Sequence, residues 1–314
     1  MESSLRLSTV ILPIHRWHEG GRQVWRRAEE LGFRTAFTYD HLSWRVPFRD
    51  GPWFGALPTL MAAACATDRI RLGTLVTSPN FRHPVTLAKE LITLDDVSAG
   101  RVTVGIGAGG NGFDATALGQ EAWSPRERAD RFGEFVPLLD RLLSEDVVSH
   151  DGAFYSADEV RNIPGCVQRP RLPLAIAATG PRGLELAARH GQAWVTTGDP
   201  KRRETPDQSF EAIGHQVKRL SAACEQIGRD PGEVEKILLT GFTPDRVLDS
   251  VDAFADFAGT YAQLGFTEIV LHWPVQDSIF AADESVFERI ATESLVQLSR
   301  SEPIRAEPIR AEPI

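Results

Sequence analysis

The sequence predicts a single (β/α)8 TIM barrel, a fold in which eight parallel strands are each followed by a helix. Strand-like and helix-like hydrophobic patterns alternate along the chain, and they form eight pairs. The 314 residues also suit one barrel of about 250 residues with insertions. A doubly wound open sheet is the alternative. No Gly-x-Gly-x-x-Gly motif follows the first predicted strand, however, and this favours the barrel.

The predicted strands are short apolar runs bounded by turn-forming or charged residues. In chain order they are Leu7–Pro13, Arg34–Tyr39, Ile70–Thr77, Val102–Ile106, Leu174–Ala178, Ala193–Thr197, Val234–Thr240 and Thr267–His272. Eight is the number of strands that a closed barrel of this type requires.

A helix is predicted after each strand from apolar residues that recur at helical spacing. The predicted helices are Gln23–Leu31, Pro58–Thr67, Pro84–Val97, Pro125–Leu143, Arg182–Arg189, Phe210–Ile227, Val251–Leu264 and Glu284–Leu298. In the first helix we expect Val24, Ala28 and Leu31 to face the barrel and Gly32 to end the helix. The third and fourth helices are expected to bury Leu87, Leu91, Leu94, Phe132, Phe135, Val136 and Leu139.

Two stretches interrupt the alternation and are predicted insertions. Gly107–Ser124, after the fourth strand, is rich in glycine and is expected to form a long loop. Val147–Pro173, before the fifth strand, is expected to contain a hairpin around His150–Gly152. Residues 1–300 therefore form one predicted domain. The last stretch, Ser301–Ile314, repeats Arg-Ala-Glu-Pro-Ile, a low-complexity pattern that predicts a disordered tail.

Composition and charge exclude several classes of protein. Hydrophobic residues make up 42% of the chain and charged residues 25%, as in ordinary soluble domains. The net charge of -9 argues against nucleic-acid binding, which needs a basic surface. We find neither a signal peptide nor an apolar run near the ~20 residues that cross a membrane. Cys65, Cys166 and Cys224 are widely spaced, and the histidines lack metal-ligand spacing. We therefore expect a cytoplasmic protein without a metal site.

The active site of such a barrel lies at the carboxyl ends of its strands, so the residues just after each strand are the candidates. The second strand leads into Asp40 and His41, with Trp44 close behind. His41 can exchange a proton near neutral pH, Asp40 could orient a cofactor group, and Trp44 could form an apolar wall. The alternative is a turn capped by Asp40 with an exposed His41. The location at a strand end favours the functional interpretation.

Three further strand ends could contact a cofactor. The third strand carries Thr74, Leu75 and Val76, whose backbone could meet a flat ring. The fourth ends in Gly107, Ala108 and Gly109, where glycine permits close approach of the backbone. The fifth turns through Thr179, Gly180, Pro181 and Arg182 into a helix, whose free N–H groups could bind phosphate. An ordinary strand-to-helix turn remains the alternative for this last segment.

Taken in order, these residues resemble a known family, the luciferase-like monooxygenases. The motifs that carry the resemblance are Ala28–Phe33, Asp40-His41, Arg69–Thr74, Phe81–Pro84, Leu94-Asp95, Ser98–Arg101, Gly105–Gly109, Thr179–Pro181 and Trp194–Gly198. The resemblance covers the chain from about residue 5 to residue 298. The resemblance implies a flavin-type ring at the barrel mouth, its phosphate near Gly180–Arg182, and an often cis peptide after the third strand, at Leu75-Val76.

Within the family, Asp40-His41 with Trp44 is similar to the branch that uses the deazaflavin coenzyme F420. In that branch the histidine is an acid or base and the tryptophan flanks the reacting carbon. This chain departs from the pattern at one place. Some deazaflavin dehydrogenases have a glutamate after the fourth-strand glycines, where this chain has Gly110-Asn111, and Asp114 is its nearest carboxylate. A sugar-phosphate dehydrogenase role is therefore not implied.

The resemblance implies an oxidoreductase that transfers hydride to or from a small organic substrate with coenzyme F420, with His41 as the catalytic residue. The first alternative is a two-component monooxygenase that uses FMN. The second is a catalytically idle flavin-binding protein on the same fold, against which His41 argues. The expected partners are a small-molecule substrate and, as open alternatives, a separate flavin or deazaflavin reductase and a second copy of the chain in a homodimer.

Overall fold

The structure, a computed structural model, describes residues 5–110, 112–199, 201–202 and 204–294. Its strands are β1 (Arg6–Val10), β2 (Thr35–Thr38), β3 (Arg71–Thr77), β4 (Val102–Gly107), β5 (Val147–Asp151), β6 (Ser156–Arg161), β7 (Leu174–Ala177), β8 (Ala193–Thr196), β9 (Glu235–Leu239) and β10 (Glu268–His272). In this part of the chain β1 to β4 and β7 to β10 pair in sequence order, all parallel, and β10 pairs with β1 to close the ring. The predicted barrel is confirmed.

The helices surround the barrel. They are α1 (Gly21–Glu30), α2 (Ala56–Ala66), α3 (Pro84–Val97), α4 (Phe113–Ala117), α5 (Pro125–Ser144), α6 (Pro181–His190), α7 (Pro206–Gln226), α8 (Val251–Ala262) and α9 (Glu284–Arg289), followed by a π turn at Ile290–Ser294. The end of the predicted eighth helix and the predicted tail, 301–314, lie outside the described residues. No helix in the described ranges is long and apolar enough to span a membrane.

Helix α3 shows how the sequence sets an element's bounds and its buried face. Pro84 occupies the first turn, where its missing N–H costs nothing, and the His83 side chain accepts a hydrogen bond from the Val85 N–H. Leu87, Leu91 and Leu94 are buried as predicted. The four side chains predicted to be buried on the following long helix, α5, are also buried. These helices therefore fix the outer wall beside β3 and β4.

The inner face of α1 differs from the prediction by one residue. Trp25 is buried at 1% exposure, together with Ala28 and Leu31, whereas Val24 is only half-buried. Helical spacing admits either position, because both lie close to the same stripe. The larger apolar surface of the tryptophan takes the buried place. The predicted turn at Gly32 is present, with a φ of 83° that favours glycine.

The two insertions behave differently. The stretch Gly107–Ser124 was expected to be a loop, but β4 continues to Gly107 and the short helix α4 lies within the stretch. Gly112, with φ of 84°, precedes α4 and turns the chain into it. Five residues are too few for helical periodicity to reveal the helix in the sequence. The hairpin predicted in the second insertion is confirmed, because β5 and β6 pair antiparallel.

The interior of the barrel contains a separate apolar cluster near the carboxyl ends of the strands. Its buried members include Val10, Leu12, Phe37, Leu75, Ala175, Val195, Ile237 and Val270. Tyr39, Trp44, Phe48 and Phe280 extend the same cluster into the loops above the strands. The carboxyl ends of the strands therefore pack on this apolar cluster, which holds the side chains around the barrel mouth in place.

Candidate active site

A cavity opens where the carboxyl ends of the strands meet, and it has two joined parts. The aromatic compartment has a volume of about 470 Å³ and is lined by Tyr39, His41, Trp44, Arg45, Phe113 and Phe242, among others. The helix-start compartment has a similar volume, about 470 Å³, and is lined by the start of α6 with Thr179, Gly180, Pro181 and Arg182. Ala108, Gly109, Ala177, Val195 and Thr197 line both compartments. The cavity is therefore continuous across the barrel mouth.

His41 lies in the wall of the aromatic compartment and contacts a buried carboxylate. Its Nδ1 is 3.0 Å from Oδ2 of Asp114, and the Asp114 side chain is only 2% exposed. The backbone N–H of Leu42 donates to the other oxygen, Oδ1 of Asp114, at 2.7 Å. Both oxygens of the carboxylate are thus used, one by the imidazole and one by the backbone.

This arrangement fixes the tautomer of His41. An ionised carboxylate only accepts hydrogen bonds, so Nδ1 of His41 must carry the proton that points to Asp114. In the neutral imidazole Nε2 is then the acceptor, and His41 lines the cavity. The loop after β2 can therefore present a proton acceptor to a bound molecule, and α4 supplies the group that orients it.

Asp40 is buried behind this wall and forms an ion pair with the partly buried Arg82. Its Oδ1 is 2.7 Å from Nη2 of Arg82, and its Oδ2 accepts hydrogen bonds from Nε of Arg82 and from the Thr77 hydroxyl. Although burial lowers the pKa of Arg82, its hydrogen bonds with Asp40 outweigh this effect and raise the pKa. Asp40 is 1% exposed and fully occupied, so it ties the loop after β2 to the segment that leads into α3.

Tyr39 and His272 form a second buried pair at the base of the aromatic compartment. The Tyr39 hydroxyl is 2.7 Å from Nε2 of His272, at the end of β10. Complete burial lowers the pKa of His272 to about 3, so this imidazole is neutral at ordinary pH. Burial also raises the pKa of Tyr39 well above its ordinary value. The pair therefore presents no net charge to the cavity.

Aromatic rings support the floor of this compartment. Trp44 is 6% exposed and stacks on Phe280 with ring centroids 5.9 Å apart and planes within 2°. Phe48 and Trp53 pack on the same indole, and Nε1 of Trp53 donates to the His41 carbonyl at 2.8 Å. The packing holds Trp44 and the His41 backbone in fixed positions.

The strand backbones between the compartments pack closely. The peptide bond between Leu75 and Val76 is cis, as the resemblance implies, although it lies within β3 rather than after it. A Cβ at Gly107 would come within 2.8 Å of Cγ2 of Val76, so the Val76 side chain would have to move to admit any larger residue. Thr74 donates its hydroxyl to the Gly105 carbonyl and holds β3 against β4.

The helix-start compartment ends at the first turn of α6. Gly180 caps the helix, Pro181 occupies its first turn, and a Cβ at Gly180 would meet no atom within 4 Å. The unpaired N–H groups of a helix start carry partial positive charge. Arg182 is exposed and forms an ion pair with Asp130, with Nη1 and Oδ1 2.6 Å apart. The open space beside Gly180 therefore faces a site that can accept an anion.

The structure brings most of the predicted site residues into one cavity wall. His41, Trp44, Leu75, Val76, Gly107, Ala108, Gly109, Thr179, Gly180, Pro181 and Arg182 line one or both compartments. Neither compartment is lined by Asp40 or Thr74, because their polar atoms are engaged behind the wall. The sequence interpretation did not assign Asp114 to His41, and it missed Tyr39, Arg45, Phe113, Leu239 and Phe242 in the wall. The rule that sites follow strand ends, applied to β9, could have found Leu239 and Phe242.

Comparison with known proteins gives a consistent set of likenesses. A family model described as luciferase-like monooxygenase matches residues 15–267. An F420-dependent glucose-6-phosphate dehydrogenase of Beutenbergia cavernae is 32% identical, over 88% of this chain and 92% of the relative. The coenzyme F420-dependent tetrahydromethanopterin reductase of Methanopyrus kandleri has the same fold, with a TM-score of 0.73 at 18% identity over 94% of this chain and 99% of that one. A monooxygenase from Streptomyces bottropensis superposes with a TM-score of 0.59 at 26% identity, over 83% and 77% of the two chains.

Proposed function

Because the chain belongs to the luciferase-like monooxygenase family, we propose that it is an oxidoreductase that transfers hydride between coenzyme F420 and a small organic substrate. The observation that carries the proposal is the joined cavity, with an oriented imidazole in one compartment and a helix start in the other. The name of the Beutenbergia cavernae relative, which is F420-dependent, supports the choice of cofactor.

The residues present fit such a cofactor. The wall shared by the compartments is small or apolar, as a flat ring requires, and includes Ala108, Ala177 and Val195. The open space beside Gly180 and the free N–H groups of α6 suit the phosphate. We assign Thr179 to that phosphate as well, through its hydroxyl. Asp40 and Thr74 act behind the wall, where they fix the strand ends.

When bound, the deazaflavin supplies a two-electron hydride acceptor or donor. The protein's own part is to place the substrate oxygen at His41 and to exclude water. In the oxidation of an alcohol, Nε2 of His41 takes the hydroxyl proton as the carbonyl forms, and in the reverse direction it returns that proton. Asp114 orients the imidazole and stabilises the charge that it gains. Trp44 closes the apolar side of the site.

The acidic tail of coenzyme F420 must leave the helix-start compartment along the protein surface. Arg82 does not meet it, because this guanidinium is bound to Asp40 and Glu90. Arg182 lies in the first turn of α6 and its side chain is 56% exposed, but it forms an ion pair with Asp130, which partly neutralises its charge. The net charge of the chain, -9, adds no long-range attraction for the acidic tail. We therefore expect affinity to come from the ring and the first phosphate rather than from the tail.

A two-component monooxygenase with FMN is the second candidate. The family description and the Streptomyces bottropensis neighbour favour it, and a helix start accepts the terminal phosphate of FMN equally well. That candidate would need a separate reductase as partner. For either candidate we propose a cytoplasmic location, because Cys65, Cys166 and Cys224 are free thiols. A homodimer stays a prediction.

Anaerobic isotope transfer tests the proposal. The full chain is mixed with coenzyme F420 and a panel of secondary alcohols that carry deuterium on the carbinol carbon. We expect at least one alcohol to reduce the cofactor, with one deuterium delivered per ketone formed. Failure of every alcohol and of every reverse reaction with ketones, together with oxygen-dependent turnover of reduced FMN, would establish the monooxygenase instead.

A further inference from the structure

We propose that a groove on the outside of the barrel, between the start of α7 and α8, binds a small organic ammonium ion, that is, a cationic amine with an alkyl or aryl group. The groove has a volume of about 570 Å³, which suits a small molecule. The loop between β9 and α8 supplies Asp245 to the groove and Phe242 to the aromatic compartment. Among the described residues, none lines both the groove and the cavity of the candidate active site. The inference therefore concerns a separate site and goes beyond the proposed function.

The first observation is an aromatic wall in the groove. Phe210 of α7 and Phe257 and Tyr261 of α8 line it. The Tyr261 ring contacts both of the others, with its centroid 5.5 Å from that of Phe210 and 4.6 Å from that of Phe257. The faces of aromatic rings attract cations, most strongly those that have lost their water. An organic ammonium ion can also bury its apolar group on these rings, whereas a hydrated metal ion cannot.

The second observation is an excess of negative charge. Four carboxylates line the groove, those of Asp207, Asp245, Asp249 and Asp256. Among the described lining residues Arg246 is the only cationic one, and its Nε lies 3.0 Å from Oδ2 of Asp249. The other three carboxylates have no ion-pair partner within the described ranges. Asp245 accepts a hydrogen bond from the Thr243 hydroxyl, which leaves its charge in place. The groove therefore offers three carboxylates to a bound cation.

The third observation is a buried hydroxyl group at the inner wall of the groove. Tyr261 is 2% exposed, and within the described part of the chain its hydroxyl has no hydrogen-bond partner. Helical side chains lean toward the start of their helix, so this ring leans toward the loop that holds Asp245. Burial, and then the negative charge of Asp245, raise the pKa of Tyr261, which agrees with a hydroxyl on the groove side. Leaving such a group without a partner costs free energy, and an ammonium N–H would supply the partner.

The three features suit one kind of ligand. The ammonium group donates hydrogen bonds to Oη of Tyr261 and to the carboxylates around it, and charge-assisted bonds of this kind are the strong ones. The alkyl or aryl group lies on the rings of Phe210 and Phe257, which line the groove. Binding is a reversible association in which no covalent bond forms or breaks.

Isothermal titration calorimetry tests the site with matched probes. The full chain is titrated at low ionic strength with phenethylammonium chloride, with the uncharged 2-phenylethanol and with magnesium chloride. We expect phenethylammonium to bind about tenfold more tightly than the alcohol, because its charge adds cation–π contact and charge-assisted hydrogen bonds, and added salt should weaken it. Equal binding of the alcohol, no binding of phenethylammonium in the millimolar range, or its displacement by an equal concentration of magnesium ions would overturn the inference.

Variants of α8 locate the bound probe. Asp256→Asn and Tyr261→Phe should each weaken phenethylammonium binding about threefold, through the lost charge and the lost hydroxyl, and unchanged affinity in both would contradict this location. Without ligand, Tyr261→Phe should melt no lower than the parent protein, because no hydrogen bond is lost. A lower melting temperature would show that the hydroxyl has a partner inside the protein and would contradict the argument. Asp252→Asn is the matched control, because Asp252 is an exposed carboxylate of α8 that does not line the groove. Its affinity should equal the parental one, and equal weakening by all three variants would indicate attraction to an acidic surface instead of a site.

Discussion

Asp114→Asn is the substitution that most directly probes the chemistry of His41. The backbone N–H of Leu42 donates to Oδ1 of Asp114 at 2.7 Å, so an asparagine must keep its carbonyl oxygen at that position. Its amide NH2 then faces Nδ1 of His41, across the 3.0 Å gap now filled by Oδ2. Because that group donates, Nδ1 must become the acceptor and the proton must move to Nε2. The imidazole would then present an N–H donor at Nε2 to the cavity, where the parent protein presents an acceptor.

The expected loss follows from that reversal. A positioned general base contributes about 10²- to 10⁴-fold, and the wrong tautomer of a catalytic histidine costs up to about 10⁴-fold. We therefore expect turnover of the deazaflavin-loaded Asp114→Asn protein to fall by about 10²- to 10⁴-fold, with cofactor affinity nearly unchanged. Side-chain nitrogen NMR of His41 should show its proton on Nδ1 in the parent protein and on Nε2 in the variant.

Asp140→Asn is the matched control for this prediction. Asp140 forms the same kind of pair, with Oδ2 2.6 Å from Nδ1 of His190, but neither residue lines the cavity. The control should keep its turnover per folded molecule, even if it is less stable. Near-parental turnover of Asp114→Asn, or an unchanged His41 tautomer, would refute the reasoning about the pair.

Three further predictions concern the same cavity. His41→Ala should leave folding and cofactor affinity near normal and lower turnover by about 10²-fold or more, as steady-state kinetics would show. Gly180→Phe should fill the open space at the start of α6 and weaken cofactor binding by about tenfold or more, which a fluorescence titration measures; equal affinity would contradict the phosphate position. For His272, the folded pKa of about 3 lies below the ordinary 6.5, so the unfolded chain alone binds the proton between these values and stability falls as pH drops through them. Between about pH 7 and about pH 5 the free energy of unfolding should fall by about 2 kcal/mol less in His272→Gln than in the parent protein. Urea unfolding at the two pH values measures both falls, and equal falls would contradict this prediction.

Much of the fold follows from the sequence because its signals are local and repeated. The alternation of strand and helix patterns predicts both ends of all eight barrel strands to within one residue, except that the first strand ends at Val10 and not at the predicted Pro13. Glycines and prolines mark boundaries such as Gly32 and Pro84, where backbone geometry leaves few alternatives. The helix α4 was missed because five residues carry no measurable period.

The site was predictable only in part, for a physical reason. His41 and Trp44 could be placed in the wall because both follow the same strand end. Asp114 lies 73 positions after His41, and no sequence pattern shows that α4 brings the two side chains to 3.0 Å. Conversely, Asp40 adjoins His41 in sequence yet turns away, because the partly buried guanidinium of Arg82 binds both of its oxygens. Neighbourhood in sequence is a weak guide to which charges pair across a barrel mouth.

The cofactor preference is the central claim, and a paired titration tests it most directly. The purified full chain, freed of bound flavin, is titrated at one fixed ionic strength with coenzyme F420 and with FMN, because salt screens the phosphate contacts of both. We predict tighter binding of coenzyme F420, since His41 and Trp44, the residues similar to the deazaflavin branch, line the compartment beside the ring, and the Beutenbergia cavernae relative is F420-dependent. Tighter binding of FMN would contradict the account and favour the two-component monooxygenase.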